Sequence, residues 1–390
     1  MTNDPMGHTP GKVLLNGNAE TLDRFVQLAD RCLGESTHRD PVTRDRDQVL
    51  VCTAAWGKTE LNDAQIHRGF AATGRGHDGE NILNLELYSS VQRYLDSRDV
   101  VKSLYEEHEH LWWELFHSYS AENAATVQHL RDVWERAVEK APDPDMYQFL
   151  KMGDRLPPGP RTRPMQQFLR AAYSGELQRQ VAALIDADTR HEERLHKLWS
   201  HFHFAAGLEF DPYWNELRRQ LIKRILQSNV IVLPGGSPST LLVGFRFFRL
   251  EGVLTEALRR GTSFFGTSAG AMVLGRRVVI FHDHREPREE FQLLENGVGL
   301  LEGLQIFPHC TDRVQTEDPA NLAYLAARFD DRSCIGLNAG SVLELVPENG
   351  RWRATSVGDE DVVIFDHTGE KLRYPPGEPI ESLMGASLVE

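Results

Sequence analysis

The stretch that decides the fold is Thr262-Ser263-Phe264-Phe265-Gly266-Thr267-Ser268-Ala269-Gly270-Ala271. Its apolar run is typical of a buried strand and the residues that follow are typical of a helix, so it predicts a strand-to-helix turn with the pattern G-x-S-x-G. Two glycines let the backbone turn where a side chain would clash. The pattern predicts that Ser268 projects its hydroxyl from the carboxyl edge of a sheet, with the Ala269 amide placed to bind an oxyanion. The alternative is an ordinary turn rich in glycine and serine, and the pattern alone does not decide between the two.

Short apolar runs on both sides of this turn predict an α/β fold. Residues 12–18 and 48–55 each have the composition of a buried strand, and the segment 19–33 between them has apolar residues at helical spacing. A strand, a helix and a strand in succession predict a parallel sheet that is covered on both faces. Further strand-like runs follow at 229–233 and 304–307. We therefore expect a three-layer α/β sandwich with a mostly parallel sheet.

A long helical segment interrupts this pattern. Between residues 62 and 228 the strand-like alternation almost disappears, and leucine, glutamate, arginine and alanine recur at helical spacing, broken by the proline-rich segment 142–164. Within the α/β part, residues 351–365 alternate like an antiparallel hairpin. We therefore predict a discontinuous α/β domain, a helical insertion and a C-terminal tail, with the bounds 11–61 plus 229–366, 62–228 and 367–390.

The composition limits the classes of protein and of partner. The chain has 390 residues, 41% of them hydrophobic, and a formal net charge of −14, which disfavours binding to nucleic acid or anionic lipid. No apolar run approaches the roughly 18 residues of a membrane span. Four scattered cysteines and an N-terminus without an apolar leader favour a reducing compartment. We expect a cytoplasmic protein that needs no cofactor and binds neither nucleic acid nor a membrane.

Three groups with complementary chemistry each lie just after an apolar run. They are the pair Gly235 and Gly236, the serine Ser268 and the imidazole of His309. Loops that follow parallel strands collect at the carboxyl edge of a sheet, so the three groups are expected to meet there. A neutral imidazole suits the role of base toward a serine hydroxyl. A glycine backbone offers an N–H to an oxyanion without a side chain in the way.

These motifs, in this order, resemble those of peptidase family S51, which includes aspartyl dipeptidase and cyanophycinase and is related in fold to the class I glutamine amidotransferases. The resemblance covers about residues 11–60 and 229–366. It rests on Gly-Gly-Ser after a strand, Gly-Thr-Ser-Ala-Gly-Ala, Pro-His at a strand end and the Ile-Gly-Leu turn at 335–337. The helical middle of the chain is not part of the usual family domain.

The resemblance also implies roles for individual residues. Ser268 would be the nucleophile and His309 the base. The oxyanion amides would be those of Ala269 and of the glycine pair. Arg313, four residues after the histidine, would bind a substrate carboxylate, because a guanidinium binds a carboxylate through two hydrogen bonds.

One position departs from the family pattern. The third triad member of the family is a glutamate in the turn after the Ile-Gly-Leu-like strand, and Ala339 stands there. Alanine cannot accept a hydrogen bond from His309. Asn338 offers an amide oxygen without charge, and the loop after His309 supplies three acidic candidates: Asp312, Glu317 and Asp318.

The sequence thus leaves two functions open. The first is a serine hydrolase that cleaves an amide or isopeptide bond of a small acidic peptide through an acyl-enzyme. The second is a catalytically impaired relative that uses the pocket, or the helical insertion, to bind a small molecule or a protein. The insertion is placed to gate substrate access or to form a homodimer contact, and both alternatives stay open.

Other reactive side chains have plainer interpretations. The pairs His108/His110 and His201/His203 are two residues apart, a spacing that does not place them on one face of a helix, so we expect a solvated polar face and no metal site. Cys310, beside the proposed base, is expected to be a small core residue.

Overall fold

The computed structural model describes residues 10–19, 21–33, 38–45, 47–73, 81–140, 164–281, 291–314, 316–348 and 350–383. Except for its last residue, the proline-rich segment 142–164 lies outside the described residues. The strands are, in chain order, β1 (Val13–Asn16), β2 (Val49–Val51), β3 (Ile82–Asn84), β4 (Val230–Leu233), β5 (Ser263–Thr267), β6 (Arg277–Phe281), β7 (Phe291–Asn296), β8 (Leu304–Pro308), β9 (Ser333–Leu337), β10 (Val342–Glu348), β11 (Arg351–Ser356), β12 (Val362–Phe365) and β13 (Lys371–Tyr374).

The helices vary in length from one turn to more than ten turns. They are α1 (Leu22–Leu33), α2 (Pro41–Arg44), α3 (Ala64–Ala72), α4 (Leu87–Asp96), α5 (Asp99–Lys140), α6 (Pro164–Ala206), α7 (Pro212–Leu226), α8 (Pro238–Phe247), α9 (Glu251–Arg259), α10 (Ala269–Leu274), α11 (Cys310–Arg313) and α12 (Pro319–Arg328). Within the described ranges, no helix combines the length and the apolar character needed to cross a membrane.

The central sheet has the strand order β11-β10-β1-β5-β4-β2-β3 in the described part of the chain. The strands from β1 to β3 in this order run parallel, and β10 and β11 add antiparallel at the other edge. The predicted α/β fold with a mostly parallel sheet is therefore confirmed. The sequence analysis did not predict β3. This edge strand has only three residues and lies in a segment whose pattern is otherwise helical.

Side chains of the sheet alternate between two buried faces, which gives the fold three layers. On one face Val49, Val51 and Phe265 pack with α1 and α3. On the other face Leu50 and Ile231 pack with α4 and α8. All five side chains are at most 2% exposed. Burial on both faces explains why these strands are continuous apolar runs in the sequence.

The remaining described strands form two smaller sheets. One has the order β13-β12-β9-β8, and the other pairs β6 with β7. The hairpin predicted over 351–365 is wrong, because β11 pairs with β10 in the central sheet whereas β12 pairs with β9 and β13. Local alternation identifies a strand but not its partner. Residues 371–374, predicted as part of a tail, form β13, and the division of the chain into domains stays a prediction.

The two long helices α5 and α6 pack against each other, and α6 also packs against α12. A fully buried ion pair joins these elements, because Arg328 donates to both carboxylate oxygens of Asp188 at 2.6 and 2.8 Å. Tyr119 on α5 donates to the same carboxylate at 2.6 Å, and Asn123 accepts from Arg328 at 2.9 Å. Buried charges are stable only when they are paired and hydrogen-bonded, so this cluster fixes α5 and α6 on α12.

The histidines of α5 and α6 do not form the predicted solvated face. His108, His191 and His203 are at most 5% exposed, whereas His110 and His201 are exposed. Burial lowers the pKa of each of the three buried imidazoles to about 4. Residues two apart on a helix point in different directions, so one histidine of each pair enters the core and the other faces solvent.

Candidate active site

Ser268 lies at the sharp turn between β5 and α10. Its backbone has φ 51° and ψ −115°, a conformation that residues with a side chain rarely adopt. The flanking glycines are required by close packing. A Cβ on Gly270 would lie 1.9 Å from the carbonyl oxygen of Leu233, and one on Gly266 would lie 2.9 Å from the Cα of Ala271. The G-x-S-x-G pattern therefore reflects a strained turn that its neighbours hold in place.

His309 meets this serine from a different sheet. It follows β8 and has a left-handed backbone, with φ 53° and ψ 40°. Its Nε2 lies 3.0 Å from the Ser268 Oγ, which is hydrogen-bond distance for a nucleophile and its base. The sequence-based expectation that both loops leave one sheet is wrong, because β5 and β8 belong to different sheets. The two residues meet because α10 packs on both strands.

Gly235 and Gly236 form the loop between β4 and α8, beside the serine. A Cβ on Gly235 would lie 3.2 Å from the Cβ of Ser268 and 3.7 Å from its Oγ. Gly236 has φ 141°, which favours glycine. The indole Nε1 of Trp56 donates to the Gly235 carbonyl at 3.0 Å. On the other side of the serine, Ala269 is the first residue of α10, and the first amides of a helix have no acceptor within the helix.

Asn16 connects the turn at Ser268 to the turn that contains Ala339. It is fully buried at the end of β1, and its Nδ2 donates to the carbonyls of Ala339 and Ser341, both at 2.8 Å. Its Oδ1 accepts from the Thr267 hydroxyl at 3.0 Å, and its backbone oxygen accepts from the Ser268 N–H at 3.0 Å. Sequence reasoning missed this role, and the available signal was a polar residue that closes a buried apolar strand.

Asn338 and Arg313 lie at opposite ends of α11: Asn338 contacts its first turn, and Arg313 is its last residue. The Asn338 Oδ1 accepts from the backbone N–H of Thr311 at 3.0 Å, so this side chain holds the start of the helix that follows His309. Arg313 ends the same helix and is half-buried. Arg313 thus belongs to the short segment that carries the imidazole, and Asn338 contacts that segment from the turn after β9.

The acidic residues after His309 face other partners or solvent. Glu317 pairs with Lys371, whose hydrogen bond lowers the pKa of the Glu317 carboxyl. Asp318 accepts from the Ala320 N–H at 2.9 Å and so caps α12. Asp312 is exposed. The described contacts of Glu317 and Asp318 favour structural roles for both.

Cys310 lies in the core, as predicted. Its side chain is 1% exposed, and burial raises the pKa of the thiol to about 12. A thiol that stays protonated at neutral pH is a weak nucleophile. The burial of Cys310 thus favours the predicted role as a small core residue.

Two cavities in the described part of the chain lie away from Ser268 and His309. One of about 780 Å³ lies between α6, β7 and the start of α9, with Arg246, Arg249 and Glu295 in its lining. The other, of about 400 Å³, lies between α4, α5 and α8 and is lined by tyrosine and tryptophan rings. Within the described ranges, no group of three or more histidine, cysteine or carboxylate side chains is placed to hold a metal ion.

Comparison with known proteins gives one match to a family. Residues 181–351 match the family model of peptidase family S51, which confirms the resemblance for this part of the chain and favours a peptidase-type function. No curated protein matches the chain. Among solved structures, the chain is similar to a peptidase from an acI-B1 actinobacterium, at 15% sequence identity and a TM-score of 0.47, over 96% of this chain and 98% of that one.

Proposed function

We propose that this chain, whose residues 181–351 match the model of peptidase family S51, is a serine hydrolase that cleaves an amide or isopeptide bond of a small acidic peptide through an acyl-enzyme. The observation that carries the proposal is the 3.0 Å contact between Ser268 Oγ and His309 Nε2 at a strained strand-to-helix turn. Strain of this kind costs about 1–3 kcal/mol and persists where function requires it.

The proposed reaction assigns a step to each group. Neutral His309 accepts the proton of Ser268 at Nε2 while Oγ attacks the carbonyl carbon of the substrate. The oxyanion accepts hydrogen bonds from the amide of Ala269 and from that of Gly235 or Gly236. The imidazolium then protonates the leaving amine, and a water molecule, deprotonated by the same imidazole, hydrolyses the ester.

Arg313 is the proposed partner of a substrate carboxylate. It lies on the short helix that follows His309, and it is half-buried. A guanidinium binds a carboxylate with two parallel hydrogen bonds, which orients the substrate as well as attracting it. This arrangement supports an acidic substrate.

A second function is favoured by one observation, the alanine at position 339. In serine proteases with a Ser-His-Asp triad, replacing the charged acid beside the base lowers the rate by about four orders of magnitude, so an alanine at this position predicts a slow enzyme or a binding protein. The binding alternative keeps the pocket and Arg313 but needs no reactivity at Ser268. The two functions differ in a single measurable property, the nucleophilicity of that hydroxyl.

Labelling with a fluorophosphonate probe tests the proposal. We expect covalent labelling of the native chain and none of Ser268→Ala, with Ser200→Ala, an exposed serine on α6, as the control that keeps full labelling. Native protein that stays unlabelled but is stabilised against heat by Asp-Leu would favour the binding alternative. Arg313→Gln should weaken the binding of Asp-Leu to the Ser268→Ala protein about tenfold or more, because one charge-assisted pair is lost.

A further inference from the structure

The peptide bond between Gly235 and Gly236 is held by residues outside its own loop. The indole N–H of Trp56 donates to the Gly235 carbonyl at 3.0 Å, and the Ser237 N–H donates to the Ala55 carbonyl at 2.9 Å. Trp56 belongs to the 3-10 segment Thr53–Thr59 that follows β2, the strand beside β4. Two neighbouring strands thus end in segments that bind each other.

This loop needs such a restraint because of its sequence. Two adjacent glycines have no Cβ, so rotation of the peptide plane between them meets little steric resistance. In a planar trans peptide the carbonyl and the following N–H point in opposite directions. A flip of this peptide plane would therefore place the Gly235 carbonyl oxygen where the Gly236 N–H had pointed.

A peptide flip in this loop would affect catalysis, because the loop lies next to the Ser268 hydroxyl. A Cβ on Gly235 would come within 3.7 Å of the Ser268 Oγ, so the loop backbone borders the hydroxyl directly. A carbonyl oxygen facing the reacting centre would repel a developing oxyanion, whereas an N–H would stabilise it. The orientation of one peptide bond then decides whether the site has its second oxyanion donor.

We propose that Trp56 is a positioning residue, whose indole N–H holds the Gly235 carbonyl and so aims the Gly236 N–H at the oxyanion. The inference rests on the proposed hydrolase function. Trp56 lies outside the segment 181–351 that matches the peptidase family. Its own placement is fixed, since its carbonyl accepts from the Thr59 hydroxyl at 2.9 Å and Gly57, with φ 57°, turns the chain directly after it.

The test removes the N–H and keeps the ring. Trp56→Phe should lower the second-order rate constant of Ser268-dependent fluorophosphonate labelling about 10- to 100-fold, since loss of one oxyanion donor costs about 10²–10³. Ground-state binding of Asp-Leu, measured in the Ser268→Ala background, should stay within twofold. Trp113→Phe, which changes an exposed tryptophan on α5, is the matched control and should leave both quantities unchanged.

An isosteric replacement separates the N–H from the packing of the ring. β-(3-Benzothienyl)alanine at position 56 keeps the bicyclic shape but lacks the donor, and it should reproduce the loss of labelling rate at an unchanged Tm. A labelling rate equal to that of the native chain in this variant overturns the inference while the proposed function stands. Native protein without Ser268-dependent labelling overturns both.

Discussion

The side-chain amide of Asn16 donates a 2.8 Å hydrogen bond to the backbone carbonyl of Ala339, where the sequence resemblance predicts the family glutamate. The same side chain accepts from Thr267, one residue before the proposed nucleophile. Asn16 is fully buried, so its own amide needs these partners in place of water. The turn that lacks the acid is thus tied to the turn that carries the serine.

Asn16→Ala should therefore be strongly destabilising. It leaves the buried Ser341 carbonyl, the half-buried Ala339 carbonyl and the Thr267 hydroxyl without this partner, and a buried group that stays unpaired costs about 1–3 kcal/mol. We expect a loss of about 2–4 kcal/mol in the free energy of unfolding, measured by urea denaturation. Asn62→Ala, at an exposed loop position, should change it by no more than about 0.5 kcal/mol. Equal changes in the free energy of unfolding for the two variants would contradict a structural role of Asn16.

Glycine at position 268 should be tolerated better than alanine. With φ 51° and ψ −115°, any side chain at this position is strained by about 1–3 kcal/mol, which exceeds the entropic cost of glycine. We expect Ser268→Gly to be at least about 1 kcal/mol more stable than Ser268→Ala in urea denaturation. The same pair at Ser200, in the helical interior of α6, should show the opposite order by about 1 kcal/mol. A Ser268→Ala variant as stable as Ser268→Gly, or more stable, would contradict strain at position 268.

His108→Phe should stabilise the chain and flatten its response to acid. Neither ring nitrogen has a hydrogen-bond partner among the described residues, and the ring lies 4.2 Å from that of Trp199. Burial lowers the pKa of His108 from 6.5 to about 4, so between these values the unfolded chain binds more protons than the folded one. Stability is therefore lost as the pH falls from 6.5 toward 4, by up to about 1.4 kcal/mol per pH unit for each such histidine.

Urea denaturation at pH 7, 6 and 5 measures both effects. We expect His108→Phe to gain about 1–2 kcal/mol at pH 7, because two unpaired polar atoms leave the core, and to have the shallower slope below pH 6.5. His110→Gln, an exposed neighbour on the same helix, should keep the native slope. A native slope in the phenylalanine variant would contradict the assignment of a neutral buried imidazole.

The structure brings together the residues that the sequence nominated for the site, whereas the pairing of several strands differs from the prediction. Ser268, His309 and the glycine pair could be identified because each ends an apolar run and each brings a distinct chemistry. The sheet to which β8 belongs could not be identified, since pairing depends on contacts between residues far apart in the chain. Trp56 and Asn16 were missed for a related reason, because their function lies in hydrogen bonds to backbone atoms of distant residues.

The buried pair of Arg328 and Asp188 limits how this protein opens. Swinging the two long helices outward as a lid would pull a guanidinium and a carboxylate apart in a site that water does not reach, at a cost of several kcal/mol. Under the proposed function we therefore expect α5 and α6 to stay on α12 when substrate binds, and we expect any movement that admits substrate to occur elsewhere in the molecule.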